Sequence, residues 1–173
     1  MKLYHVSEDP GITEFHPRPS PQKYEGINGN VVFAISEDML HNYLLPRECP
    51  RVCYYAKTDS TQEDISKYIG NSDKRLILNV EESSLQSIRN TKLYLYELPP
   101  GDFTILDKGA GYYISYSSVK PTNVIVIENI PEELGKHSVE VRTHVSLTEL
   151  AEKISKSSLQ FSIIRLRNAA KYS

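Results

Sequence analysis

The residues best suited to chemistry lie near the N-terminus, in Leu3-Tyr4-His5-Val6-Ser7. An imidazole offers a donor and an acceptor near neutral pH, so His5 can orient a ligand hydroxyl or carry a proton. Ser7 stands two residues on, and in an extended strand that spacing puts its hydroxyl on the same face. No acid in the sequence is identifiable as an orienting partner for the imidazole, which argues against a hydrolase built on this pair. A ligand-holding histidine and a core histidine bonded to backbone are the two readings left.

Arginines form the second group. Their planar guanidinium matches a phosphate or carboxylate in a way lysine does not. Arg18 lies in the stretch 11–30, where Pro17, Pro19, Pro21, Gly26 and Gly29 exclude a regular helix and favour a long surface loop. Arg47 follows Pro46 and Arg51 follows Pro50, so stiff backbone is expected to hold the two guanidinium groups together as a phosphate clamp. Ion pairing of Arg47 with the adjacent Glu48 is the alternative. Arg165 and Arg167 fall in the stretch 158–171, read as a helix, and leave it on different faces. At most one of them is then expected to meet a pocket bordered by Arg47.

Two further phenols are Tyr43 and Tyr112. The helical spacing of Tyr43 favours a core position over a site. Tyr112 follows Gly109-Ala110-Gly111, where glycines permit close backbone approach to a ligand or simply mark a turn. Cys49 and Cys53, with His41 upstream, supply three metal-ligating side chains. Structural zinc sites draw four ligands from closer pairs, so no metal is expected and the thiols are read as reduced.

The elements that must position these residues follow from pattern. Val31-Val32-Phe33-Ala34-Ile35 is continuously apolar and reads as a central strand. Ser36 then caps a helix with Glu37 and Asp38 in its first turn and Met39, Leu40, Tyr43 and Leu44 on its apolar face, ended by Pro46. Further strands are expected at 52–56, 75–80, 92–98, 124–127 and 138–142, the last as an edge, with 103–106 as the hairpin partner of 92–98. Helices are expected after the cap Asp59-Ser60-Thr61, at 81–88, at 131–134, and from the capping box Ser146-Leu147-Thr148-Glu149 through Ile154. The sum is an α+β fold: short, mostly antiparallel strands in a split, curved sheet with peripheral helices.

The chain has 173 residues, enough for one domain with a core of its own. Its net charge of −2 makes no global electrostatic case for nucleic acid or an acidic membrane. No DNA groove reading is expected. No apolar run reaches the roughly 20 residues of a membrane span, and the N-terminus has no secretion-signal pattern, so the expected location is the cytoplasm. Nucleotide-binding glycine loops, nucleophile elbows and metalloprotease helices are missing from the sequence.

Tyr4-His5-Val6-Ser7 at the end of a first strand resembles the Tyr-His-Gly-Thr opening of the ADP-ribosyltransferase superfamily, which includes the RNA 2′-phosphotransferases. That resemblance implies an ADP-ribosyltransferase-like fold, NAD as a substrate, and a nucleotide or RNA end as partner. It further implies that His5 and Ser7 hold a ribose, with Arg18, Arg47 or Arg165 on phosphate and Tyr43 and Tyr112 at the pocket. The position of the superfamily's catalytic glutamate falls on Gly111 or Tyr112, which puts the usual transfer chemistry in doubt and favours the phosphotransferase branch or a non-catalytic binding module. Three stretches, Leu3 to Pro10, Asn42 to Arg47 and Phe161 to Ala169, are also similar to a family of small bacterial proteins of unknown function.

Overall fold

A computed structural model of the chain describes residues 1–21 and 23–171; Gln22, inside the proline-rich loop, lies outside them. In chain order the elements are β1 (Leu3–Ser7), β2 (Val32–Ser36), β3 (Arg51–Tyr55), α1 (Gln62–Asp64), β4 (Leu76–Glu81), α2 (Leu85–Asn90), β5 (Leu93–Leu98), β6 (Thr104–Asp107), β7 (Tyr112–Ser115), β8 (Asn123–Ile127), α3 (Ile130–Gly135), β9 (Val139–His144), α4 (Thr148–Ser155) and β10 (Gln160–Ile164). The class is α+β, and among the described pairings only that of β4 with β9 is parallel. The strands form two sheets, in two compact units: Met1–Leu44 with Lys92–Glu128, and Leu45–Thr91 with Asn129–Ser173.

The first unit is a six-stranded sheet in the order β6-β7-β2-β1-β5-β8. Register places Leu3, His5, Ala34 and Tyr96 on one face and Tyr4, Phe33, Ile35 and Tyr112 on the other. On the first face Leu3, Val32, Ala34, Tyr96 and Leu98 pack with Phe15 and Val119. The stretch 11–30 is tied down at two points, where Phe15 exchanges backbone hydrogen bonds with Val119 and Arg18 with Val31. β1 and β2 pair only through Leu3 and Tyr4 and then part. Beyond that fork the loop bridge at Arg18 takes up β2's early backbone.

Three expectations in this unit are corrected. After β2 the chain makes a 3₁₀ helix, Glu37–Tyr43, and Ser36 gives it no side-chain cap. The Ser36 hydroxyl instead lies beside Gly111, which is why that residue has no room for a Cβ. The strand after Phe103 pairs with β7, not with β5, whose two edges are already taken by β1 and β8. β8 lies at the sheet's edge with Val124, Ile125 and Val126 exposed.

The second unit is a four-stranded sheet in the order β10-β3-β4-β9. Val52, Tyr54 and Ile77 on one of its faces pack with Leu147, Ala151 and Ile154 from α4 and its approach. Thr61 caps α1 as expected, its hydroxyl accepting from Asp64 N at 3.2 Å. The helix expected over 158–171 is a strand, β10, followed by a 3₁₀ turn, Leu166–Asn168. Phe161-Ser162-Ile163-Ile164 supports either period over so short a run, and pairing with β3 decides for period two. β9 is an edge strand as expected, but β10 follows it in sequence and forms the opposite edge. The box at Ser146 also differs. Its hydroxyl accepts from Thr148 N at 3.3 Å and donates to Ala170 O at 2.8 Å, and Leu147 occupies the cap position.

No helix among the described residues is long and apolar enough to cross a membrane.

Candidate functional site

In the first unit the fork between β1 and β2 presents His5. Its Nδ1 lies 3.1 Å from Phe33 O, in the place where a continuing β1 would have bonded β2. A carbonyl oxygen only accepts, so Nδ1 carries the hydrogen and Nε2 is the acceptor in the neutral ring. Phe15 lies against the imidazole with ring centres 4.6 Å apart, and Tyr96 meets Phe15 edge-on at 5.3 Å. The Tyr96 hydroxyl donates to Asp9 O at 2.6 Å and accepts from Ile12 N at 3.2 Å. One buried tyrosine therefore holds both ends of the Pro-Gly turn after β1. Ser7 shares the face of His5, and its hydroxyl accepts from Asp9 N at 3.1 Å. Arg18 has its backbone bound to Val31 while its side chain reaches solvent, without an ion pair among the described residues.

Tyr43 and Tyr112 lie on the opposite face of that sheet. Their hydroxyls hydrogen-bond directly, and Tyr24, Phe33 and Tyr112 complete an aromatic cluster with centres 6.0 to 6.5 Å apart. Burial pushes the Tyr24 phenol up to about 12, with Tyr112 and Asp107 adding to it. Tyr24 has no motif around it, and pattern reading passes over it.

Gly111, just before Tyr112, adopts φ +70°, and a Cβ there would lie 2.5 Å from Ser36 Oγ and 2.7 Å from Met39 Cγ. Any side chain is therefore excluded at Gly111, and the phenol of the adjacent Tyr112 is engaged by Tyr43.

Arg47 and Arg165, the remaining sequence candidates, meet within the second unit. Arg165 Nε donates to Arg47 O at 3.2 Å and lies 3.3 Å from Glu48 Oε1. Asn168 Nδ2 reaches both Glu48 O and Glu48 Oε2 at 2.8 Å, and Arg167 Nη2 lies 3.6 Å from Oε2. Asn168 foremost, then the arginines, hold the Glu48 carboxyl below its usual range. Both Arg165 and Arg167 thus reach one partner. The helix expected for this segment is instead a strand and turn. Arg51 is not part of a surface clamp: it is buried, and its Nη1 donates to Pro46 O at 3.0 Å and Cys49 O at 3.2 Å.

The same unit contains a pair that carries no motif. Asn79 is fully buried, donates from Nδ2 to Val52 O at 2.9 Å, and accepts from His144 Nε2 at 2.8 Å. Burial, helped by Arg142, holds the His144 imidazole below its ordinary value. Arg142 itself ties β9 to the turn after α1 by donating to Tyr68 O and Ile69 O, the latter at 2.9 Å.

The family model that matches the sequence is the family of unknown function DUF6886, over residues 4–169. The chain belongs to that family. No curated protein and no solved structure matches it. The match spans the three stretches on which the likeness to small bacterial proteins of unknown function was based, save Leu3, and it brings no activity with it.

Proposed function

We propose that the first unit binds a ribose-bearing nucleotide, NAD or a phosphorylated RNA end, at the fork between β1 and β2, and binds it without transfer chemistry. The observation that carries this reading is the setting of His5. Its Nδ1–H is committed to Phe33 O at the point where the strands part, which fixes the ring at the fork where it would meet a sugar hydroxyl. Ser7 shares its face, and Arg18 on the bridged loop supplies a cation for phosphate. The resemblance of Tyr4-His5-Val6-Ser7 to the ribose-holding motif of the ADP-ribosyltransferases supports the choice of ligand.

Binding is preferred to transfer because Gly111 and Tyr112, where the resemblance would put the carboxylate that an oxocarbenium-like centre needs, provide none, and Tyr112 lies on the face of the sheet opposite His5. The test is calorimetric titration of NAD, ADP-ribose and a 2′-phosphorylated oligoribonucleotide into wild type, His5→Ala and His5→Gln, with circular dichroism confirming the fold. Saturable binding to wild type that either substitution weakens by about tenfold or more, with no nicotinamide release, is the expected result. Turnover of NAD would reject the non-catalytic reading. Equal binding by folded His5→Ala would remove His5 from the site.

A further inference from the structure

We propose that Arg165, Arg167 and Asn168 of the second unit form a binding site for a small phosphate or diphosphate anion, and that the Glu48 carboxylate occupies the anion's place until a ligand displaces it. This proposal does not rest on the reading of His5.

The geometry is that of a held oxyanion. Glu48 receives Asn168 and Arg167 on Oε2 and Arg165 on Oε1, so both of its oxygens are gripped from the same side of the chain. Amide N–H and guanidinium donors of that kind serve a phosphate equally well, and a phosphate brings more charge and a third oxygen to them. Two guanidinium groups, from Arg165 and Arg167, reach the one carboxylate, and the charge of Arg47 also bears on it.

The support beneath the site is rigid. Buried Arg51 donates to Pro46 O and Cys49 O, which fixes the turn bearing Arg47 and Glu48. Glu81, also buried, accepts from Ala170 N through both carboxylate oxygens, at 2.9 and 3.1 Å, and from Leu147 N at 3.1 Å, which fixes the chain beyond Asn168. Glu48 itself is 60% exposed, so it can swing into water at little cost, whereas Arg165, 22% exposed and bonded to Arg47 O, is held in place.

Arg165 adds an independent sign. It adopts φ +55° and ψ +28°, a left-handed conformation that a residue with a Cβ keeps only under constraint. Asn168 N closes the following turn on Arg165 O at 2.9 Å, and that turn is what presents Arg165, Arg167 and Asn168 toward Glu48. A glycine would suit the backbone better, yet the position carries the guanidinium that bridges Arg47 O and Glu48. The two sequence stretches that meet here, ending at Arg47 and spanning Phe161 to Ala169, are more than a hundred positions apart.

The test uses the full chain and inorganic pyrophosphate at low ionic strength, with sulfate as the competing oxyanion. Glu48→Gln keeps an acceptor for Asn168 but removes the competing charge, and is expected to bind pyrophosphate about tenfold more tightly than wild type. Arg165→Gly relieves the left-handed backbone, so its melting temperature should equal or exceed that of wild type while pyrophosphate binding falls by about tenfold or more. Arg167→Gln in the Glu48→Gln background should reverse most of the gain. The proposal is overturned if Glu48→Gln and wild type bind alike, if Arg165→Gly stays folded and binds as before, or if sulfate competes as well as pyrophosphate.

Discussion

The hydroxyls of Tyr43 and Tyr112 meet in a direct hydrogen bond across 69 residues of sequence, joining the 3₁₀ helix after β2 to the start of β7. Both rings are half-buried, so removing one hydroxyl takes a hydrogen bond out of a restricted space. Tyr43→Phe and Tyr112→Phe should each destabilise the fold by about 1 kcal/mol, and the double variant by less than the sum. Urea denaturation of the four-member cycle measures this. Strict additivity would show that the two hydroxyls do not interact.

Gly111 is expected to be far less tolerant. Alanine there must adopt a left-handed backbone and push against Ser36 Oγ and Met39, whose atoms would lie under 3 Å away. The combined cost is about 2–4 kcal/mol. Gly101, whose Cβ would meet nothing, is the control and should change stability by a few tenths at most. Chemical denaturation of Gly111→Ala beside Gly101→Ala gives the comparison.

Stability in acid should report on His144. Its imidazole is held below the ordinary value in the fold, so protonation favours the unfolded chain. The contribution is complete above the ordinary histidine pKa and is lost as pH falls through the depressed one. His144→Gln should therefore flatten the drop in urea midpoint between neutral pH and about pH 5. Asn79→Ala, which strips Val52 O and His144 of a buried partner, should cost about 2–3 kcal/mol at neutral pH. An unchanged pH slope in His144→Gln would count against this account.

Cys53 should behave as a buried, neutral thiol. Burial pushes it up to about 12, and Cys49 is raised for the same reason. Thiol-directed reagents at mildly alkaline pH should then modify Cys53 only as fast as the protein opens. The sign at high pH follows: the unfolded thiol ionises first, so stability is full below its ordinary pKa and declines as pH rises toward about 12. Cys53→Ala should lessen that alkaline loss. Rapid labelling of Cys53 in the native state would contradict the burial argument.

Much of this was written in local sequence. The strand with His5, the apolar run after Asn30, the Thr61 cap and the α+β class all follow from side-chain period, turn residues and capping groups that act over a few positions. The candidate residues were legible in part. His5, Tyr43, Tyr112 and Arg47 carry chemistry by type and sit near proline and glycine punctuation, whereas Arg165 stands out by type alone. Glu48 entered only as a partner for Arg47, and Tyr24, Asn168, Asn79 and His144 offered no such signal, since a tyrosine, two amides and a histidine are ordinary wherever they fall.

Tertiary structure decided the rest, because hydrogen bonds between strands satisfy backbone groups that local pattern leaves uncommitted. Pairing with β3 made a strand of the segment expected as a helix, and saturation of β5 by β1 and β8 sent β6 to β7. Strand register put His5 and Tyr112 on opposite faces of one sheet. The same long-range closure brought Asn168 to Glu48 across 120 residues and made one cluster of two stretches that the sequence presents only as separate arginines. Residue type and short-range spacing settle which groups can act; which of them stand together is set by backbone pairing and burial across the whole chain.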